Sequence, residues 1–146
     1  MKKSQRLKPV IKVARDREQK AAQAVGESRR LLAKNEAKLA ELIAYHQEYS
    51  KRYEDSGRDG MEINRLNEFR QFLARLNDAI DNQRALIKLK QSEVDDKNDM
   101  WRQTRVKHKS IDNIATRHRT IENHQEDRRQ QDESDDRSQH VRNPKD

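Results

Sequence analysis

The sequence contains no cysteine, which excludes disulfides, thiolate zinc sites and a cysteine nucleophile. Three glycines and two prolines among 146 residues are too few turn formers for a fold of many strands. Aromatic residues reach 4% and hydrophobic residues 31%, against about 45–50% apolar in an ordinary globular domain. Such a chain cannot build a large core around a buried catalytic cleft. No apolar run approaches the roughly 18 residues of a membrane span. Met1-Lys2-Lys3-Ser4 is basic, but no apolar stretch follows, so no signal peptide is expected. Charge is what the chain has in abundance: 40% of residues, with a net charge of +7. These features describe a soluble, cytoplasmic, helical protein with an acidic partner or surface.

The strongest turn signal is Asp55-Ser56-Gly57-Arg58-Asp59-Gly60, where glycine admits positive φ and Asp and Ser bond locally. Both flanks are rich in Ala, Leu, Glu, Lys, Arg and Gln, which favour helix. Pro9 suits a first helical turn, so helix 1 is expected over about 9–54, with Gly26 as an internal weak point. The turn occupies 55–60. Asp59 and Glu62 have capping-box spacing, and Asn64 offers a second cap. Helix 2 is then expected over about 61–125, with no breaker before Pro144. From Glu126 the chain carries no apolar residue until Val141. A segment with nothing to bury is expected to be a frayed or disordered tail, 126–146.

Alternating steps of four and three from Leu7 trace a seam in helix 1 through Ile11, Ala14, Val25, Leu32, Leu39, Leu42, Tyr49 and Tyr53, with Glu18, Ser28, Asn35 and His46 among its polar members. In helix 2 the same count passes through Leu66, Phe69, Leu73, Leu76, Ile80, Ile87, Val94, Trp101, Ile111 and Ala115. A heptad seam of this length specifies a coiled coil. The short turn makes the helices antiparallel neighbours. The fold class is therefore all-α: a long antiparallel two-helix coiled-coil hairpin over 5–125, with the disordered C-terminal tail beyond it. Counting from the turn pairs Leu42 with Leu76, Leu39 with Ile80, Tyr49 with Phe69, Leu32 with Ile87 and Glu18 with Trp101. Helix 1 would be about 70 Å long.

The two edges of this seam differ. One, formed by the g positions, carries Tyr45 and Phe72 side by side, then Lys38 and Ala79, then Leu31 and Leu86. The other carries Glu36, Arg84, Ile43 and Asn77. Two helices leave nothing to cover the apolar edge, and an uncovered apolar patch marks a binding surface. The competing account folds these aromatics down to widen the seam. The open end of the hairpin is basic. Lys8, Lys12, Arg15, Arg17 and Lys20 on helix 1 face a partner carrying Arg102, Arg105 and Lys107. It reads either as a contact with an acidic partner or as a solvated end kept soluble by charge. Nucleic acid fits poorly, because bases alternate with acids and lack stacking aromatics. His118 and His124 lie six residues apart, on different helix faces, so no metal site is expected. A thin hairpin has no desolvated pocket to tune a catalytic carboxylate. No enzyme activity and no cofactor are expected.

The stretch Leu39-Ala40-Glu41-Leu42-Ile43-Ala44-Tyr45-His46-Gln47-Glu48-Tyr49, followed after the turn by Phe69-Arg70-Gln71-Phe72-Leu73-Ala74-Arg75-Leu76-Asn77-Asp78-Ala79-Ile80, resembles the FliJ family of flagellar export proteins. Trp101-Arg102 is also similar to that family, and the resemblance covers about residues 5–125. It implies an antiparallel two-helix coiled coil like the shaft of the rotary ATP synthase gamma subunit. It further implies binding to the hexameric export ATPase FliI, with the basic open end entering the ring, and to the cytoplasmic domain of the export gate protein FlhA. An escort role for export chaperones is implied too. The family's gate-binding surface maps onto Leu42, Tyr45, Tyr49, Phe72, Leu76 and Ala79. Lys38 stands where the family has Gln, and Gln83 where it has His. The resemblance places the chain in flagellar assembly, motility and chemotaxis, in the cytoplasm and peripheral to the inner membrane at the flagellar base. The alternative is a structural coiled coil that self-associates through its apolar edge.

Overall fold

The computed structural model of the chain describes residues 1–60 and 62–142. Two helices make up the protein: α1 (Lys3–Arg58) and α2 (Ile63–Arg142). Among the described residues there is no strand, and no helix is long and apolar enough to cross a membrane. The two helices pack against each other along the seam.

The helix ends differ from expectation in instructive ways. α1 begins at Lys3 and carries Pro9 inside it; the Lys2 carbonyl accepts from Gln5 N and Arg6 N at 3.1 and 3.2 Å, so the helix is nucleated ahead of the proline. It also continues past Glu54 to Arg58, absorbing Ser56 and Gly57. The reversal is confined to the residues around Gly60, whose φ of +82° is the left-handed conformation that ends helices. Glu62 does not form a capping box inside α2 but stands just ahead of Ile63, and its carbonyl accepts from Leu66 N at 3.1 Å. The expected helix 2 start at 61 lies outside the described residues. α2 does not stop near 125. It continues through the polar stretch 126–142, where Gln, Glu and Arg sustain helix by propensity alone. Arg129 bonds Glu126 at 2.8 Å across one turn, and residues 127–141 bury nothing. Residues 143–146 of the expected tail, Pro144 included, lie outside the described residues.

Every seam residue of α1 from Leu7 to Tyr53 is buried or half-buried. So are those of α2 from Leu66 to Ala115, apart from Lys97, which is exposed while its neighbour Asn98 is half-covered. The chain forms two compact units. The turn unit comprises Ala21–Trp101, and the terminal unit comprises residues 1–20 with those from Arg102 onward.

In the turn unit the core is Val25, Leu76, Ile80, Ile87 and Val94, with Ser28 and Gln83 buried among them. Gln83 Nε2 donates to the Asn35 carbonyl at 2.9 Å and to Asn35 Oδ1 at 3.0 Å. Asn35 Nδ2 in turn donates to Leu31 O at 2.8 Å. A polar pair in an apolar seam costs stability unless both members are satisfied, and it then fixes which heptads face each other. This pair and the Tyr49–Phe69 ring contact, with centroids 6.4 Å apart, both match the register counted from the turn.

In the terminal unit the core is Ala14 and Ala115, with Ser4 buried beside them. Here Glu18 takes His108 as its partner, Oε2 to Nδ1 at 2.5 Å. Heptad counting places both Glu18 and His108 on the seam, but hydrophobic period does not say which polar seam residues meet.

Candidate functional site

The apolar edge of the turn unit is built around Tyr49. Its ring meets Phe72 edge-on with centroids 4.8 Å apart and Phe69 at 6.4 Å. Arg52 lies 5.2 Å from the Tyr49 centroid and is held by Glu48 at 2.8 Å, so a cation stands over the Tyr49 ring. A shallow groove bounded by Tyr49, Phe69, Phe72, Arg65 and Glu68 results. Phe72 is half-buried and stacked on the seam. It is not the free flank residue that its g position suggested, and among the described residues no ring contact joins it to Tyr45.

Tyr45 itself is 53% exposed. Leu42, Tyr49 and Ala79 are half-covered, and Leu76 is buried. The six residues Leu42, Tyr45, Tyr49, Phe72, Leu76 and Ala79 thus form a graded set: Leu76 supports, Tyr49 and Phe72 form the wall, and Tyr45 projects. Farther along the same edge Leu31 and Leu86 are exposed as well. Lys38 is exposed on that edge, while Gln83 is turned into the seam to meet Asn35.

All eight expected cations of the open end, Lys8, Lys12, Arg15, Arg17, Lys20, Arg102, Arg105 and Lys107, belong to the terminal unit and are exposed. They do not form one cluster. Lys8, Lys12 and Arg15 line one groove together with Arg119 and the acids Asp16 and Asp112. Among the described residues these four cations have no ion-pair partner. Arg17 and Lys107 lie over a different groove. Arg119 carries the e position, and counting the edge as well as the end reveals its place in the first set.

The start of α1 is tied to α2 by Glu122. Its Oε1 accepts from Ser4 N at 3.2 Å and its Oε2 from Ser4 Oγ at 2.5 Å. Ser4 N–H is one of the donors a helix start leaves unpaired, so a carboxylate from the opposite helix does the work of a cap and meets the positive end of the helix dipole. The Ser4 hydroxyl bond is the main cause that holds the Glu122 carboxyl below its usual range; partial burial opposes it, and Ser4 N–H, Lys2 and His118 assist.

The family model described as FliJ, the flagellar FliJ protein, matches residues 2–144. No curated protein and no solved structure matches the chain. The matched span takes in both helices, both grooves and the Tyr49 cluster. The chain belongs to the FliJ family, whose members are structural components of flagellar protein export and are not known as enzymes.

Proposed function

We propose that this protein is a coiled-coil stalk of the flagellar type III export apparatus with a separate docking surface on each unit. The apolar edge around Tyr45, Tyr49 and Phe72 receives the cytoplasmic domain of the export gate, FlhA. The cations of the terminal unit contact the hexameric export ATPase, FliI. Export chaperones are handed on by the same chain. It works in the cytoplasm at the flagellar base, at the inner membrane through these partners. The observation that carries the gate reading is Tyr45, a large aromatic left 53% exposed next to a wall of two packed rings. Aromatic anchors beside a rigid, partly desolvated wall are what binding hot spots are made of.

The ATPase reading rests on charge. Four cations around one groove, with no ion pair of their own among the described residues, leave a field for an acidic surface to satisfy. Titration calorimetry tests both surfaces, with the purified gate domain in one cell and the ATPase in the other. Tyr45→Ala is expected to weaken gate binding at least tenfold and leave the ATPase alone. Reversal of Lys8, Lys12 and Arg15 to Glu is expected to do the opposite. Gate binding indifferent to Tyr45→Ala, or ATPase binding indifferent to the reversal and to salt, would refute the corresponding half.

A further inference from the structure

The terminal unit has a second groove, on the edge opposite the one lined by Lys8 and Arg15. Pro9, Val10, Val13, Ala14 and Ile111 form its walls, and Arg17 and Lys107 stand over it. In the heptad count Val10, Arg17 and Lys107 are g positions and Val13 is a c position. The g stripe of α2 continues from Lys107 through Ile114 and Ile121. Val10 is 45%, Val13 49%, Ile114 47% and Ile121 54% exposed. At 1.5 Å per residue the stripe from Lys107 to Ile121 is about 21 Å long, the length of several helical turns and far more than a small ligand spans.

Charge on this face has one sign. The c positions add Arg6, Lys20 and Arg117, and up to His124 no aspartate or glutamate holds a g or c position of the unit. Among the described residues Arg17 and Lys107 have no ion-pair partner. An aliphatic groove flanked by unpaired cations is the complement of one thing in particular. We infer that this face docks an amphipathic helix of a partner protein, aliphatic on its inner side and acidic along its flanks. A second copy docking through this same face would bring the same cations and no acid to meet them, so like-charge repulsion opposes face-to-face self-association here. A bilayer offers a flat surface, whereas Val10, Val13 and Ile111 enclose a concave one suited to a helix ridge. The inference shares Arg17 and Lys107 with the ATPase contact proposed above, but it does not require that the ATPase supply the helix.

The test uses the full chain and a synthetic helical peptide with leucines at three- and four-residue spacing and glutamates on both flanks, titrated by fluorescence anisotropy. The peptide is expected to bind. Val10→Ser and Ile114→Ser should each weaken it on the order of tenfold, the size of a lost aliphatic contact, while Lys8→Glu, on the opposite edge, leaves binding within about twofold. Circular dichroism of each variant confirms that helix content is retained, which is expected because both replaced side chains are half-exposed. Absence of peptide binding overturns the inference. So does binding that Lys8→Glu removes as readily as Val10→Ser, which would be charge attraction without a groove. Sedimentation with phosphatidylglycerol vesicles supplies the third arm. Vesicle binding that Val10→Ser abolishes, without peptide binding, would assign the face to lipid and overturn the protein-helix reading. Because the ATPase takes no part in these titrations, their failure is separable from failure of the ring contact.

Discussion

Replacing Phe72 by alanine separates two roles that one edge of the seam combines. Its ring sits edge-on to Tyr49 with centroids 4.8 Å apart, and the residue is half-buried. A fully buried phenylalanine costs about 3–5 kcal/mol on truncation, so a half-buried one should cost about 2 kcal/mol. Of that, about 0.5–1.5 kcal/mol is the ring pair itself. Tyr49→Ala loses two ring contacts, with Phe69 and with Phe72, and should cost about 3 kcal/mol. Tyr45 is 53% exposed and has no ring partner among the described residues, so Tyr45→Ala should stay within about 0.5 kcal/mol. Denaturant unfolding of the three single variants and the Tyr49→Ala/Phe72→Ala double gives the coupling directly. The double is expected to cost less than the sum of the singles by about the worth of the ring pair. Calorimetry against the gate domain then reads binding per folded molecule. A Tyr45→Ala variant that unfolds as easily as Tyr49→Ala would refute the division of this edge into wall and projecting anchor. Strict additivity of Tyr49→Ala and Phe72→Ala would refute the ring coupling.

Other outcomes follow from the polar contacts and the exposed helix. Gln83→Ala removes the donor to Asn35 Oδ1 inside the seam, so it should destabilise by about 1–3 kcal/mol, whereas the Asn35→Leu/Gln83→Leu pair should melt higher but allow a displaced heptad register, visible by cross-linking cysteines placed across the seam. The Glu122 carboxyl has a lowered pKa in the folded chain; its stabilisation is therefore fully present above the ordinary carboxylate pKa of about 4.3 and is lost as pH falls through the lowered value. Ser4→Ala removes the hydroxyl bond but keeps the Ser4 N–H, so it should reduce that acid-limb pH dependence, and an undiminished limb in the variant would count against the hydroxyl contact. Amide exchange should be fast from residue 127 to 141, where the helix buries nothing, and slow around Ile80 and Ile87, which are 6% and 8% exposed; slow exchange throughout 127–141 would contradict a helix held by propensity alone.

Hydrophobic period made the seam readable almost residue by residue, because burial in a two-helix coil is decided by position on one stripe. The turn-anchored register was also readable across the turn unit, where Asn35 meets Gln83 and Tyr49 meets Phe69. In the terminal unit the Glu18–His108 pair was not readable, because hydrophobic period does not say which polar seam residues meet. The helix ends were hidden for a different reason. Pro9, Gly57 and the apolar-free stretch after Glu126 are all local signals against helix, and each was overridden by helix already nucleated beside it. At the start of α1 the decisive group is Glu122, which bonds Ser4 from 118 positions away along the chain and which no local window contains.

The candidate surfaces were legible to the extent that each depends on edge position alone. Tyr45 projects, 53% exposed, and makes no ring contact among the described residues. Phe72 holds the same kind of position, yet it packs down because Tyr49 offers its ring within 4.8 Å. Edge position alone therefore does not separate an exposed aromatic such as Tyr45 from one that packs on a seam ring, as Phe72 does. The basic end shows the converse. Counted as a run, Lys8, Lys12, Arg15 and Arg17 are one cluster; counted by heptad, Lys8 and Arg15 hold e positions and Arg17 a g position. The structure puts them in two grooves, one with acids Asp16 and Asp112 in its lining and the other with valines. Charge reversal at Arg15 and at Arg17 is thus not one experiment repeated. The first should act on a partner through screened attraction that about 0.5 M salt largely removes. The second should also disturb an apolar contact that salt leaves in place.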